Sequence, residues 1–238
     1  MKTILPILII AMVSLFVSPS CSKKSSSPAQ TCQIITVSDQ IGSSTTVYNI
    51  TYNNAGQIST AQYNQNSTAY SRVITYIGST EIMVTSGGAS TITDSMTLNS
   101  DGFIQSDYQT DGTDLTVTNY TYSGAELQKS VSTTNGGTPT TSTYSWTNGD
   151  LTSGNDNGTT ATYTYNTTAS ETGDYWYIAQ LINYGGFIVK TAHQLTGYQV
   201  GTSIENVNYT YDNTGKITGL TGTSGSTVET ITYQYSCN

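Results

Sequence analysis

The chain has 238 residues, of which only 9% are charged, and it carries 19 Tyr against 3 Phe with a formal net charge of −8. From Cys32 onward four bases face fifteen acids, and a domain that negative repels phosphate backbones, which excludes nucleic acid as an expected partner. His193 is the single histidine, so histidine-built metal clusters, Ser-His-Asp triads and Cys-His dyads are not expected, and His193 itself reads as a surface or satisfied core residue.

Met1-Lys2-Thr3 and the apolar run from Ile4 to Val17 read as the charged and hydrophobic regions of an export signal, shorter than the about 20 apolar residues that span a bilayer. Ser18-Pro19-Ser20-Cys21 follows. A small residue directly before a Cys at the end of such a run resembles a lipobox, with Ser18 where Leu is usual, a looser form familiar from Bacteroidetes lipoproteins. The resemblance implies a signal peptide over 1–20 and lipid attachment at Cys21. Residues 21–31 are small and polar and read as a flexible tether. Surface-exported lipoproteins of that group carry acids after the Cys; Lys23 and Lys24 stand here instead, which by resemblance points to the periplasmic side of the outer membrane.

From Cys32 one unit recurs. Tyr209-Thr210-Tyr211-Asp212-Asn213-Thr214-Gly215-Lys216-Ile217 reads as a strand, a tight turn and the start of a return strand. Aligning the residue before each turn gives Tyr52, Tyr76, Leu98, Tyr122, Trp146, Tyr165, Tyr211 and Tyr235, at intervals of 24, 22, 24, 24, 19, 46 and 24. A period near 24 is a two-strand unit, and the one doubled interval marks an insertion. The pattern Tyr-x-Tyr-Asp-x-x-Gly-x-Ile resembles the YD repeats of Rhs-type proteins. The whole layout over 32–238 resembles a Bacteroidetes lipoprotein family of unknown function with a porin-like fold.

The insertion, about 167–205, contains Tyr175, Ile178, Ala179 and Ile182 at helical spacing, with Thr172 or Asp174 as N-cap and Gly185 as terminator. A hairpin of Tyr175–Ile182 and Phe187–Leu195 competes, because the stretch is rich in β-formers. The resembling family carries a helix here, and a curved sheet needs its concave face filled, so a helix is expected.

The densest acidic stretch, Asp107 to Asp114, reads as a strand-connecting turn rather than a calcium loop. The other acids also read as turn residues scattered along the chain, so no carboxylate pair is nominated for glycoside hydrolysis. Catalytic, metal and cofactor sites are therefore not expected. The aromatic pairs at alternate positions read mainly as core; Tyr144, Trp146, Tyr163 and Trp176 are the candidates for stacking on a ligand if their faces are exposed.

The expected fold is all-β: one antiparallel up-and-down meander of roughly fourteen to sixteen strands over 32–238, curved into a half-open or nearly closed barrel with one short helical insertion. Cys32 and Cys237 remain as a pair in an oxidising compartment and are expected to be bonded, which would require the first and last strands to be neighbours. The expected function is a non-enzymatic, lipid-anchored envelope protein that binds a carbohydrate or another envelope protein. A purely structural repeat protein is the alternative, and a glycan-active hydrolase the third.

Overall fold

The computed structural model describes residues 32–65, 68–88 and 91–237. The expected signal peptide, the tether and Cys21 lie outside the described residues. The alternating segments form sixteen strands: β1 (Cys32–Ile41), β2 (Ser44–Tyr52), β3 (Ile58–Gln65), β4 (Thr68–Ile77), β5 (Glu81–Gly87), β6 (Ile92–Leu98), β7 (Ile104–Thr110), β8 (Leu115–Ser123), β9 (Glu126–Thr134), β10 (Thr140–Thr147), β11 (Asp150–Asp156), β12 (Thr159–Ala169), β13 (His193–Val200), β14 (Ser203–Tyr211), β15 (Ile217–Ser224) and β16 (Thr227–Cys237). Each pairs antiparallel with its neighbours in sequence, and β16 pairs with β1, so the barrel is closed rather than half-open. The Cys32–Cys237 disulfide sits at that seam. Residues 193–205, counted in the expected insertion, are β13 and the start of β14; the inserted piece is the 170–192 connection.

The 24-residue period has a structural cause. At one end of the barrel the last inward position of each even strand is the aligned residue of the repeat, Tyr52 through Tyr235. Opposite it on an odd neighbour stands Ile58, Ile82, Ile104, Leu127, Leu151, Leu195 or Ile217. These aliphatic residues and Ile34 are each no more than 1% exposed, and burying each contributes roughly 2 kcal/mol of transfer free energy. In most units the register shifts by one residue just beyond this pair, a β-bulge. The carbonyl before the bulge then accepts from the next ring: Tyr52 Oη donates to Ile34 O at 2.7 Å, Tyr122 Oη to Ile104 O at 2.7 Å, Trp146 Nε1 to Leu127 O at 2.7 Å and Tyr235 Oη to Ile217 O at 2.6 Å. Tyrosine is favoured over Phe because it fills this space and satisfies a carbonyl that the bulge leaves free.

The turns explain why the Asp of the repeat drifts to Asn. Asn53 Oδ1 accepts from the backbone N–H of Ala55 and Gln57, Asn99 Oδ1 from Asp101 and Phe103, and Asp212 Oδ1 from Thr214 and Lys216. Only an acceptor oxygen is needed, and both residues supply one. Gly56, Gly102 and Gly215 close these turns at φ of 77, 80 and 87°, where a Cβ is disfavoured.

The connection between β12 and β13 carries α1 (Tyr175–Tyr184). Asp174, not Thr172, is its N-cap, accepting from Tyr177 N at 2.8 Å, and Gly185 in the left-handed region ends it with an N–H donated to Leu181 O. The helix lies across the lumen, with Ile178, Leu181 and Ile182 in the core. Gln180 is 6% exposed and fastens the return chain: its Nε2 donates to Val189 O, and its Oε1 accepts from Ile188 N and Val189 N. At the return to β13, Ala192 N donates to Gly149 O, and Asp150 accepts from His193 N at 2.9 Å while its Oδ2 lies 2.7 Å from His193 Nδ1. His193 is thus an anchor of the insertion.

Candidate functional site

The turns that follow even strands, the 170–192 connection and both bonded cysteines all lie at one end of the barrel, which the insertion plugs. The hairpins after odd strands form the other end, the mouth. Above α1 the inward positions change character from aliphatic to polar. Asp39 follows Val37 on β1, Arg72 precedes Ile74 on β4, Asp94 precedes Met96 on β6, Glu205 precedes Val207 on β14 and Glu229 precedes Ile231 on β16, each two residues away and so on the same inward face. Asp107 on β7 lies opposite Met96 and also faces in.

This corrects the reading of the acids as scattered turn residues. In the 107–114 stretch only Asp111 and Asp114 belong to the turn, where Asp111 Oδ1 accepts from Thr113 N and Asp114 N. The physical reason is the bulge after Ile104: with strict alternation Asp107 would point out, but the extra residue turns it in and leaves Tyr108 outside, 45% exposed.

Two carboxyl pairs result. Asp94 and Asp107 are 5% and 9% exposed, and the Oδ1 of each has no hydrogen-bond partner among the described residues. Burial, reinforced by Asp94, pushes the Asp107 carboxyl up to about 7. Burial also raises Asp94, while the Gln109 amide and the Arg72 charge pull it back, so a proton retained by the pair toward neutral pH sits mainly on Asp107. On the β1/β16 wall burial raises both Asp39 and Glu229, and their mutual interaction favours one shared proton. Tyr198 donates to Glu205 Oε2 at 2.6 Å. Gly222 makes room for this group, since a Cβ there would lie 2.5 Å from Glu205 Oε1.

Arg72 is the one base among the described residues that faces this part of the lumen. Its Nη1 donates to Ile182 O and Asn183 Oδ1, which commits its charge to the negative end of α1. A cavity of about 390 Å³ opens here, lined by Tyr63, Tyr70, Arg72, Asp94, Gln109 and Tyr184 among others. Tyr63 and Tyr70 stack with ring centroids 5.0 Å apart and planes 10° from parallel, and Tyr48 lies against Tyr63.

The four residues singled out for ligand stacking all point into the lumen but do not form a platform. Trp146 is held to Leu127 O, Trp176 Nε1 reaches Tyr165 Oη at 3.4 Å, and Tyr163 meets Trp176 edge-on. Tyr144 lies 3.1 Å from Ser130 Oγ, and with Tyr163 it lines a separate cavity of about 480 Å³ near the mouth. Sequence reasoning missed the Tyr63–Tyr70 stack and the inward acids. For every acid but Asp107 a signal was present, because each shares the parity of its strand's apolar residues.

These features define a class: a closed sixteen-strand barrel, plugged at one end by an inserted helix and polar at the other. Solved structures share the fold, among them two described as porin-like proteins. One, from Bacteroides uniformis ATCC 8492, matches at a TM-score of 0.64 and 14% identity, covering 85% of this chain and 98% of that one. The other, from Bacteroides vulgatus ATCC 8482, matches at a TM-score of 0.59 and 16% identity with the same coverage. No protein-family model matches the chain, and no curated protein matches it.

Proposed function

We propose that this is a non-enzymatic, lipid-anchored protein of the cell envelope that takes a small polar ligand, a carbohydrate in the first instance, into the mouth of its plugged barrel. The observation that carries the reading is the change along the lumen, from an aliphatic and aromatic seal below α1 to carboxylates, an arginine and stacked tyrosines above it. A membrane-spanning barrel has the reverse design, an apolar outer band around a polar interior. Here most outward positions are polar: Asn49 and Thr51 on β2, Asn119 and Thr121 on β8, Thr141, Thr143 and Ser145 on β10 and Thr160, Thr162 and Thr164 on β12 are all exposed, with Val47, Val73 and Tyr108 as dispersed apolar exceptions. Such a surface suits an aqueous compartment, and the tether at Cys21 supplies the membrane attachment.

Cys32, the first described residue after the anchor, lies at the plugged end, so the attachment is made at the end of the barrel opposite the mouth. The lysines after Cys21 favour the periplasmic leaflet. A partner protein docking on the Thr- and Ser-rich outer surface is the second reading, favoured by the recurrence of exposed hydroxyls from strand to strand. A glycan array probed with the full-length chain in mild detergent separates the two. Binding weakened at least tenfold by Tyr63→Ala supports a ligand in the mouth, and silence across the array removes the carbohydrate reading.

A further inference from the structure

We infer that the cavity lined by Asp94, with Asp107 behind it, is built for a primary ammonium group, carried into the mouth on a small body that rests against the Tyr63–Tyr70 stack. This deepens the proposed binding function and rests on it. The upper lumen places five carboxyl groups, Asp39, Asp94, Asp107, Glu205 and Glu229, against the single guanidinium of Arg72, which the helix terminus already engages. The remaining bases among the described residues are elsewhere: Lys129 is exposed on the outer face, while Lys190, Lys216 and His193 stand at the plugged end.

The upper lumen is short of positive charge, and the two aspartates are short of donors. The Oδ1 atoms of Asp94 and Asp107 are buried without partners among the described residues, and leaving an acceptor so placed unsatisfied is costly. A neutral hydroxyl could donate, yet it brings no positive charge and so would leave the Asp107 proton in place. An ammonium supplies three N–H donors and the missing charge together. Its binding would favour the ionised form of Asp107, whose proton is otherwise held by burial. The stacked rings add faces that attract a cation and cover the apolar side of its carrier. Among the described residues no three acid, histidine or cysteine side chains converge at metal-ligand geometry, so the acceptors fit an organic cation better than a bare divalent ion. A cavity of about 390 Å³ matches a carrier of monosaccharide size.

An ammonium can arrive on an amino sugar or on an alkyl diamine. Calorimetry on the full-length chain in mild detergent, with glucosamine, N-acetylglucosamine, glucose and putrescine as probes, distinguishes these sources. Glucosamine, putrescine or both should bind at least tenfold more tightly than the two probes without an amine, and Asp94→Asn should remove that preference while Tyr163→Phe leaves it intact. As a readout independent of any variant's folding, carbon-13 carboxyl signals of Asp94 and Asp107 in the wild-type chain should shift on adding the tighter amine. Equal binding of glucose and glucosamine would overturn the ammonium assignment while leaving a sugar site in the mouth. Amine binding that leaves both carboxyl signals unmoved would place the site elsewhere, and no binding of any probe would count against both this assignment and the carbohydrate reading.

Discussion

Asp107 shows how one inserted residue can create a site. Its carboxyl is inward only because the ladder slips after Ile104, and once inward it is buried beside Asp94 and below Arg72, with Tyr120 of β8 and Tyr184 of α1 close enough to feel its charge. Its native value of about 7 lies above the about 3.9 of an unfolded aspartate. Between those values the folded chain keeps a proton that the unfolded chain has released, so stability falls as pH rises through the window. The Asp39–Glu229 pair acts in the same direction. Asp212, held at about 2 by Thr214, opposes it only below about pH 4, where its unfolded form takes up a proton. The melting temperature should therefore rise as the pH is lowered from about 8 to about 5.5. Asp107→Asn should flatten that rise, and a wild-type profile that is flat or falls on acidification would refute the assignment. The parity of Asp94, Glu205 and Glu229 with Met96, Val207 and Ile231 was readable in the sequence. That of Asp107 was not, because a bulge leaves no composition signal and turns every later side chain to the opposite face.

At the scale of elements, the helix was ambiguous in the sequence, where a hairpin competed with it. Tyr, Trp and Ile serve a strand as well as a helix, and Asp174 and Gly185, which cap and terminate the helix, are also residue types of strand-connecting turns, so the resemblance and the need to fill a concave face decided the expectation. The sequence could not show what lies against that terminator. Gly185 has φ of 65°, and a Cβ there would stand 2.6 Å from Ile74 Cγ2 and 2.9 Å from Tyr76 Oη, whose hydroxyl donates to Gly185 O. Gly124, in the β8–β9 turn, has φ of 59° with nothing within 4 Å of the same position. The two glycines separate backbone strain from crowding. Gly124→Ala should cost about 1 kcal/mol, the penalty for a left-handed alanine. Gly185→Ala should cost about 2 kcal/mol more, because the wall of the barrel must also move. Urea denaturation of the two variants measures the difference, and equal losses would mean that the helix end is not held against β4.

For the whole molecule the decisive step is closure. Repeats of a two-strand unit build a meander that can end with two open edges or none, and the strands themselves look the same in both cases. Only the two cysteines at the ends of the repeat region distinguished them in the sequence. In the structure β1 and β16 exchange nine residue pairs from Cys32↔Cys237 to Ile41↔Glu229, so the ladder, which leaves no exposed edge, and the covalent bond close the same seam. Their contributions act on different states. The ladder stabilises the folded barrel, whereas the bond, with a sequence separation of 205, mainly restricts the unfolded chain and should raise stability by about 5 kcal/mol in the chain-entropy treatment. The double variant Cys32→Ser, Cys237→Ser should therefore unfold at markedly lower urea concentration, yet its β1 and β16 amides should remain as protected from hydrogen exchange under native conditions as those of other strand pairs. A selective loss of protection along those two strands would show that the bond, and not the ladder, holds the barrel shut. An intact mass of the wild-type chain that does not change on reduction would show that the bond does not form.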